Sequence, residues 1–313
     1  MRDLAIVAAR LTKSYERVPA VSGLSLNVPR GSVYGFLGRN GAGKTSTIKM
    51  LLGLTRVTSG AAQVLGMDVQ SERLAILKRT AFVSERKALP RSLTPRELVR
   101  FSRGFYPDWS DRAVEKYAKL FEIPMERRFE KLSNGNQTKV WLLLALSQGA
   151  DLLILDEPGT ALDPLSVDQM LRALAEDTAE RGSTIFFSSH QLEQVEQIGE
   201  YVGMIEKGQL LLEARLDDIK SGFRLITAAG NRLPTAATEQ VLSVDRDGEF
   251  YKYVVTKDGD GFAESLRRDG ATVTNLTPLN LREIFLHLVR KEQACTSGNA
   301  GARPALSALS SSS

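Results

Sequence analysis

Residues Gly38 to Ser46 read Gly-Arg-Asn-Gly-Ala-Gly-Lys-Thr-Ser and match the pattern G-x-x-x-x-G-K-[ST] at every fixed position. A loop of this kind constrains the fold around it. It must leave a buried strand and open a helix, because its backbone N–H groups have to turn inward at the helix N-terminus to cradle phosphate. Both flanks are present: Val33 to Leu37 is a short apolar strand after the turn Pro29-Arg30-Gly31, and helix-forming residues begin at Lys44 or Thr45. Gly38, Arg39, Asn40, Gly41, Ala42, Gly43, Lys44, Thr45 and Ser46 are therefore read as the nucleotide contact. Lys44 reaches the terminal phosphates and the Thr45 hydroxyl is placed to bind Mg²⁺.

The rest of the chain supplies the alternation that such a loop needs. Leu4 to Leu11 and Leu24 to Val28 read as strands, and Gly60 to Gly66 as a hairpin-like stretch. From about 72 to 146 the pattern is helical and charged, punctuated by Pro90, Pro95, Pro107 and Pro124, as expected of a helical insertion. Leu152 to Leu155 and Thr184 to Phe187 are continuous apolar runs, the mark of buried parallel strands, separated by the helical spacing of Leu165 to Glu180. Gln191 to Glu200 supplies one more helix.

From Ile219 the texture changes. Strands are expected over Phe223 to Ala228, Gln240 to Val244 and Phe250 to Thr256, with a turn at Arg246-Asp247-Gly248, followed by helices at Gly261 to Arg268 and Leu281 to Arg290. These boundaries predict a nucleotide-binding domain over 1–218, a small α+β appendage over 219–292, and a disordered tail over 293–313, where Ala, Ser and Gly dominate.

Charge and cysteine content narrow the surroundings. The net charge of +4 is unevenly spread: residues 72–131 hold 15 Lys/Arg against 9 Asp/Glu, and residues 151–218 hold 4 against 15. The basic segment is either a solvated face or a surface for a partner or lipid headgroups. Cys295 is the single cysteine, so no intrachain disulfide or cysteine metal cluster can form and a reducing compartment fits. The N-terminus lacks a signal-peptide pattern, and no apolar run approaches the 18 or more residues of a span.

A phosphate loop alone leaves kinases, GTPases and ATPases open. A second element is Asp156-Glu157-Pro158 at the end of the apolar run: Asp156 would hold Mg²⁺, usually through water, and Glu157 would polarise the attacking water as general base. A third is Leu132-Ser133-Asn134-Gly135-Asn136-Gln137, which lies 24 residues before Asp156 at the start of a helix. A Ser hydroxyl and a Gly N–H at a helix N-terminus make an anion site suited to a γ-phosphate.

This third stretch resembles the Leu-Ser-Gly-Gly-Gln signature of ATP-binding cassette (ABC) proteins. The resemblance covers residues 4 to about 215 and implies a phosphate-loop NTPase fold of class α/β, with a RecA-like core, an antiparallel β subdomain and a helical subdomain. It also implies roles for further residues. Tyr15 sits where the family stacks an aromatic on adenine, Asp163 matches the loop that links two sites in a dimer, and His190 matches the histidine that contacts the γ-phosphate. Ser133, Gly135 and Asn136 would face the ATP held by another cassette, since in the family two cassettes pair head to tail. Two departures stand out: Glu85 replaces the family's usual glutamine near Mg²⁺, and Asn134 and Asn136 replace signature Gly and Gln.

The expectation is an ATP- and Mg²⁺-dependent ATPase subunit that powers transport, with a lean toward export, through integral membrane permease subunits on separate chains. It would act as a homodimer or with a sister cassette, on the cytoplasmic face of the membrane, without nucleic acid. The competing class is a soluble ABC ATPase acting on DNA, ribosomes or protein assemblies.

Overall fold

The structure, a computed structural model, describes residues 3–85, 89–230, 233–234 and 240–297. It divides into two compact units at Leu210/Leu211, ahead of the boundary expected at 218.

In chain order the first unit begins with β1 (Leu4–Tyr15), β2 (Val18–Pro29), β3 (Val33–Gly38), α1 (Lys44–Leu51), β4 (Ser59–Val64) and β5 (Met67–Asp68). Then come α2 (Arg73–Arg79), β6 (Thr80–Val83), α3 (Pro95–Arg103), α4 (Asp111–Leu120) and α5 (Asn134–Ser147). The remainder is β7 (Leu152–Asp156), α6 (Pro164–Arg181), β8 (Thr184–Ser189), α7 (Leu192–Ile198) and β9 (Tyr201–Glu206), and β10 (Gln209–Arg215) runs across the division.

Two sheets result, and their sequences show why they differ. The antiparallel sheet runs β2-β1-β4-β5. In β2, Leu24, Leu26 and Val28 are buried while Ser25 and Asn27 are exposed, the alternation of a strand wet on one face. The second sheet runs β10-β9-β3-β8-β7-β6, with β9, β3, β8, β7 and β6 parallel. Every residue of β3, β7 and β8 is buried, as their unbroken apolar runs require for strands covered on both faces. Phe186 anchors the sheet, with its ring centroid 5.4 Å from Tyr34 and 5.3 Å from Phe36 on neighbouring β3.

One expectation needs correcting here. The stretch from about 72 to 146 is not helical throughout, because Thr80–Val83 forms β6 and pairs in parallel with β7. The helices that follow carry clear start signals. Thr94 and Glu97 form a reciprocal capping box with Pro95 in the first turn of α3, and Ser110 caps α4.

The second unit contains α8 (Leu216–Gly222), β11 (Arg224–Ala229), β12 (Val241–Asp247), β13 (Phe250–Val255), α9 (Gly259–Arg268), β14 (Thr272–Pro278) and α10 (Leu281–Ser297). Its sheet is antiparallel in the order β12-β13-β11-β14. Ile226, Val241, Tyr253 and Val255 pack with Ala263 and Leu266 of α9, and Phe262 meets the Tyr253 ring edge-on at 5.4 Å. Helix α10 continues to Ser297, past the helix end expected at Arg290 and the domain end expected at 292, so residues 293–297 are helical; the rest of the segment expected to be a tail, 298–313, lies outside the described residues.

Candidate nucleotide site

Strand direction assembles the site. Because β3, β8, β7 and β6 are parallel and adjacent, their C-terminal ends share one edge, where ligands of open α/β sheets bind. Register makes this concrete: Leu37 lies beside Ser189, Ser188 beside Asp156, and Leu155 beside Val83. The phosphate loop, Ser188-Ser189-His190, Asp156-Glu157 and Glu85 therefore leave the sheet side by side.

The loop from Gly38 to Ser46 is shaped for anion capture. Gly43, at φ 109, is the N-cap of α1, and a Cβ there would lie 2.6 Å from the carbonyl oxygen of Ala20, so only glycine fits. No side chain caps α1, which leaves its first-turn N–H groups to a ligand at the positive end of the helix dipole. Lys44 is 6% exposed, and its Nζ donates to the carbonyls of Gly38 at 2.6 Å and Arg39 at 3.2 Å. It also lies 3.0 Å from Glu157 Oε1. Thr45 is half-buried one residue further on, in the first turn of α1.

Two carboxylates at the tip of β7 are held differently. Asp156 is 1% exposed and accepts a 2.7 Å hydrogen bond from Ser188 Oγ. Glu157 adopts φ 52, a left-handed conformation that costs a side-chain-bearing residue on the order of 1–2 kcal/mol. Its N–H donates to the same Ser188 Oγ at 3.0 Å. That backbone turn sends the Glu157 carboxylate toward the phosphate loop, with Oε1 on Lys44 and Oε2 2.7 Å from His190 Nδ1. Lys44, Glu157 and His190, predicted from three separate stretches of sequence, meet in one chain of contacts. Ser188 was not predicted as a site residue; a small hydroxyl at the strand tip next to His190 was the available signal.

The remaining predicted residues occupy other places. Tyr15 ends β1 and is 44% exposed, at a hairpin tip where Glu16 and Arg17 have φ 46 and 71. Lys13 Nζ lies 4.8 Å from the Tyr15 ring centroid and donates to the Arg56 carbonyl at 3.0 Å, which supports one side of the ring. Glu85 is exposed two residues beyond β6; its basic neighbours Arg86 and Lys87 lie outside the described residues.

Ser133 is the N-cap of α5, accepting from the Asn136 N–H at 3.2 Å and keeping its own hydroxyl proton to donate. Gly135 backs onto the 159–163 loop, where a Cβ would stand 3.1 Å from the Ala161 carbonyl. Asp163 caps α6. It accepts from the Ser166 hydroxyl at 2.6 Å and the Ser166 N–H at 3.0 Å, and these bonds hold its carboxyl below the ordinary range.

A phosphate loop, a strand-end carboxylate pair and a histidine just past the strand between them define a phosphate-loop nucleotide hydrolase. The ABC transporter family matches residues 21–160. The bacitracin transport ATP-binding protein BcrA of Bacillus licheniformis is 37% identical over 216 residues, covering 68% of this chain and 71% of that protein. The daunorubicin/doxorubicin resistance ATP-binding protein DrrA of Streptomyces peucetius is 35% identical, over 70% of this chain and 68% of its own. The Nod factor export ATP-binding protein I of Rhizobium meliloti is 32% identical over 93% of this chain and 89% of its own, so that similarity includes the second unit. Among solved structures, the ATP-binding subunit of an ABC transporter superposes with a TM-score of 0.64 at 26% identity, over 69% of this chain and 92% of that one. This chain belongs to the ABC transporter ATP-binding proteins, and it is a transport ATPase.

Proposed function

We propose that this chain is the ATP-hydrolysing subunit of an exporter whose membrane-spanning part lies on separate chains. The observation that carries the hydrolytic part is the placement of Glu157 between Lys44 and His190 at the edge of the phosphate loop. The relatives named for bacitracin transport, drug resistance and Nod factor export support the direction. No helix among the described residues is long and apolar enough to cross a membrane, which fits a subunit that reaches the cytoplasmic face through partners.

In this reading the α1 N-terminus and Lys44 hold the phosphates, Tyr15 stacks on adenine, and Glu157 draws a proton from the attacking water while His190 orients the carboxylate and meets the γ-phosphate. Mg²⁺ would neutralise charge on the phosphates. The donor set suits it: Thr45, Asp156 and Glu85 offer oxygen ligands, the kind a hard divalent cation takes. Ser133, Gly135 and Asn136 would complete the site of a second copy or sister cassette, whose own signature completes this one.

The helical segment offers the surface for a membrane subunit. Phe101 and Phe105 are 59% and 62% exposed with ring centroids 5.1 Å apart, and α3, which carries Phe101, also carries exposed Arg96, Arg100 and Arg103. Exposed aromatic and arginine side chains are both enriched at protein interfaces.

The test is Glu157→Gln. ATP turnover should fall at least about 100-fold while nucleotide still binds, because a general base is lost without removing a phosphate contact. Turnover equal to that of the unaltered chain would overturn the assignment. Co-purification with a polytopic membrane protein checks the transport role, and binding to nucleic acid with a steep salt dependence would favour the soluble class instead.

A further inference from the structure

A close side-chain-to-backbone contact lies between the segments that carry Glu157 and His190. Gln194, on α7, is 5% exposed, yet its amide is bonded at both ends: Oε1 lies 3.1 Å from the Ser189 hydroxyl and Nε2 donates to Gln191 Oε1 at 2.7 Å. Ser189 in turn accepts from the Gln191 N–H at 2.9 Å. This small network brackets His190 on both sides in sequence. Its far face rests on the backbone of Gly159. A Cβ built on Gly159 would fall onto Gln194 Nε2 and stand 3.1 Å from both Cδ and Oε1.

Gly159 is two residues beyond Glu157, in the turn closed by the Thr160 N–H to Glu157 carbonyl bond at 3.3 Å and the Leu162 N–H to Gly159 carbonyl bond at 3.1 Å. Its φ is not positive, so conformation does not demand glycine there. Space does. The side chain that takes the space is not a loose surface group that can swing aside, because two hydrogen bonds fix it in a nearly dry position.

We infer that Gly159 and Gln194 are a size-matched pair of positioning residues that sets the separation of Glu157 from His190. Gln194 acts through Ser189 and Gln191 on the histidine, and Gly159 acts through the 157–160 turn on the glutamate. Together they maintain the 2.7 Å contact between His190 Nδ1 and Glu157 Oε2. The inference rests on the assignment of Glu157 and His190 as the hydrolytic pair.

The experiment compares ATP turnover by the whole 313-residue chain as Gly159→Ala, Gln194→Ala and the double variant, with Glu157→Gln as reference. In Gly159→Ala the added methyl displaces Gln194, and kcat should fall about 10- to 100-fold, the loss expected when catalytic groups are misplaced by roughly an ångström. KM for ATP should stay unchanged, since neither residue touches the phosphate loop. The pH profile of kcat should shift as the Glu157–His190 contact opens. Gln194→Ala loosens the network without a clash and should lose less kcat than Gly159→Ala; it also makes room for the methyl, so the double variant should recover kcat to the level of Gln194→Ala alone, the non-additivity expected of residues in contact.

A Gly159→Ala chain with unchanged kcat, or a double variant no better than Gly159→Ala, overturns the pairing. Should Gly159→Ala fail to fold, the comparison of the double variant with Gln194→Ala still decides it: a double variant that folds and matches Gln194→Ala supports the pairing, and one that fails to fold or turns over more slowly overturns it. If Glu157→Gln retains full turnover, the hydrolytic assignment itself fails. If Glu157→Gln is inactive and Gly159→Ala is unimpaired, only the pairing fails.

Discussion

The six-stranded sheet of the first unit and the four-stranded sheet of the second are both covered by helices, yet only the first concentrates chemistry at one edge. The parallel strands β3, β8 and β7 all end on the same side, so the phosphate loop, His190 and Glu157 arrive together. In the second unit each strand opposes its neighbours, and successive ends alternate between the two edges. Strand direction, rather than composition, decides whether residues from distant sequence can act on one ligand. The second sheet is built for a core and faces, the first for a rim.

Mutations that strike each core should separate these roles. The largest effect is expected for Phe186→Ala, which empties the centre of the parallel sheet between Tyr34 and Phe36; such truncations cost about 3–5 kcal/mol. Thermal or denaturant unfolding should show the loss, with nucleotide affinity falling alongside it. Ile226→Ala in the fully buried core of the second unit should cost about 2–5 kcal/mol in that unit's own transition. ATP binding by the first unit should persist, and its loss would break the comparison.

A smaller effect is expected at the hairpin tip. Tyr15→Ala should weaken ATP by about 1–3 kcal/mol, the worth of one base on an aromatic platform, while binding of inorganic triphosphate stays the same. Equal losses for both ligands would mean that Tyr15 supports the hairpin rather than the base.

The smallest concerns pH and the second unit. His287 Nδ1 lies 3.1 Å from Ser243 Oγ, and burial, then the nearby Arg290, holds this imidazole below its ordinary 6.5, against the weaker pull of Asp245 and Glu283. In the window between the folded value and 6.5 the unfolded chain binds the proton and the folded chain does not, so stability rises with pH. The second unit should therefore lose stability as pH falls below 6.5 and level off once His287 is protonated in the folded state. His287→Gln should remove that slope, as read by the second unit's melting temperature across pH 5 to 7.5.

Much of the site was legible because its chemistry is written in consecutive residues. Gly38 to Ser46 and Asp156-Glu157 each carry their own geometry, a strand end followed by a turn. What stayed hidden depends on partners far away in sequence. Thr80-Ala81-Phe82-Val83 follows Arg79 without a turn residue and is too short to show a period, so its strand identity comes only from pairing with β7. β14 reads Thr-Val-Thr-Asn-Leu-Thr-Pro and is mostly exposed, giving no apolar stripe to find; pairing with β11 makes it a strand. Ser188 and Gln194 are ordinary polar residues until Asp156, Glu157 and Gly159 are set beside them. A cluster whose members meet only through the sheet leaves no local trace.

The ion pair between Lys44 and Glu157 has a consequence for what this site will accept. Both side chains are less than a tenth exposed, so the two opposite charges face each other where water screens poorly. A ligand arriving at the loop trades partners with a carboxylate instead of filling a charge deficit. A chloride or a single carboxylate has little to offer in that trade, whereas a triphosphate brings several charges and the helix N-terminus to match them. On the proposed assignment the same swap would free one oxygen of Glu157 as the phosphates take its place, so that occupancy and readiness would become a single event.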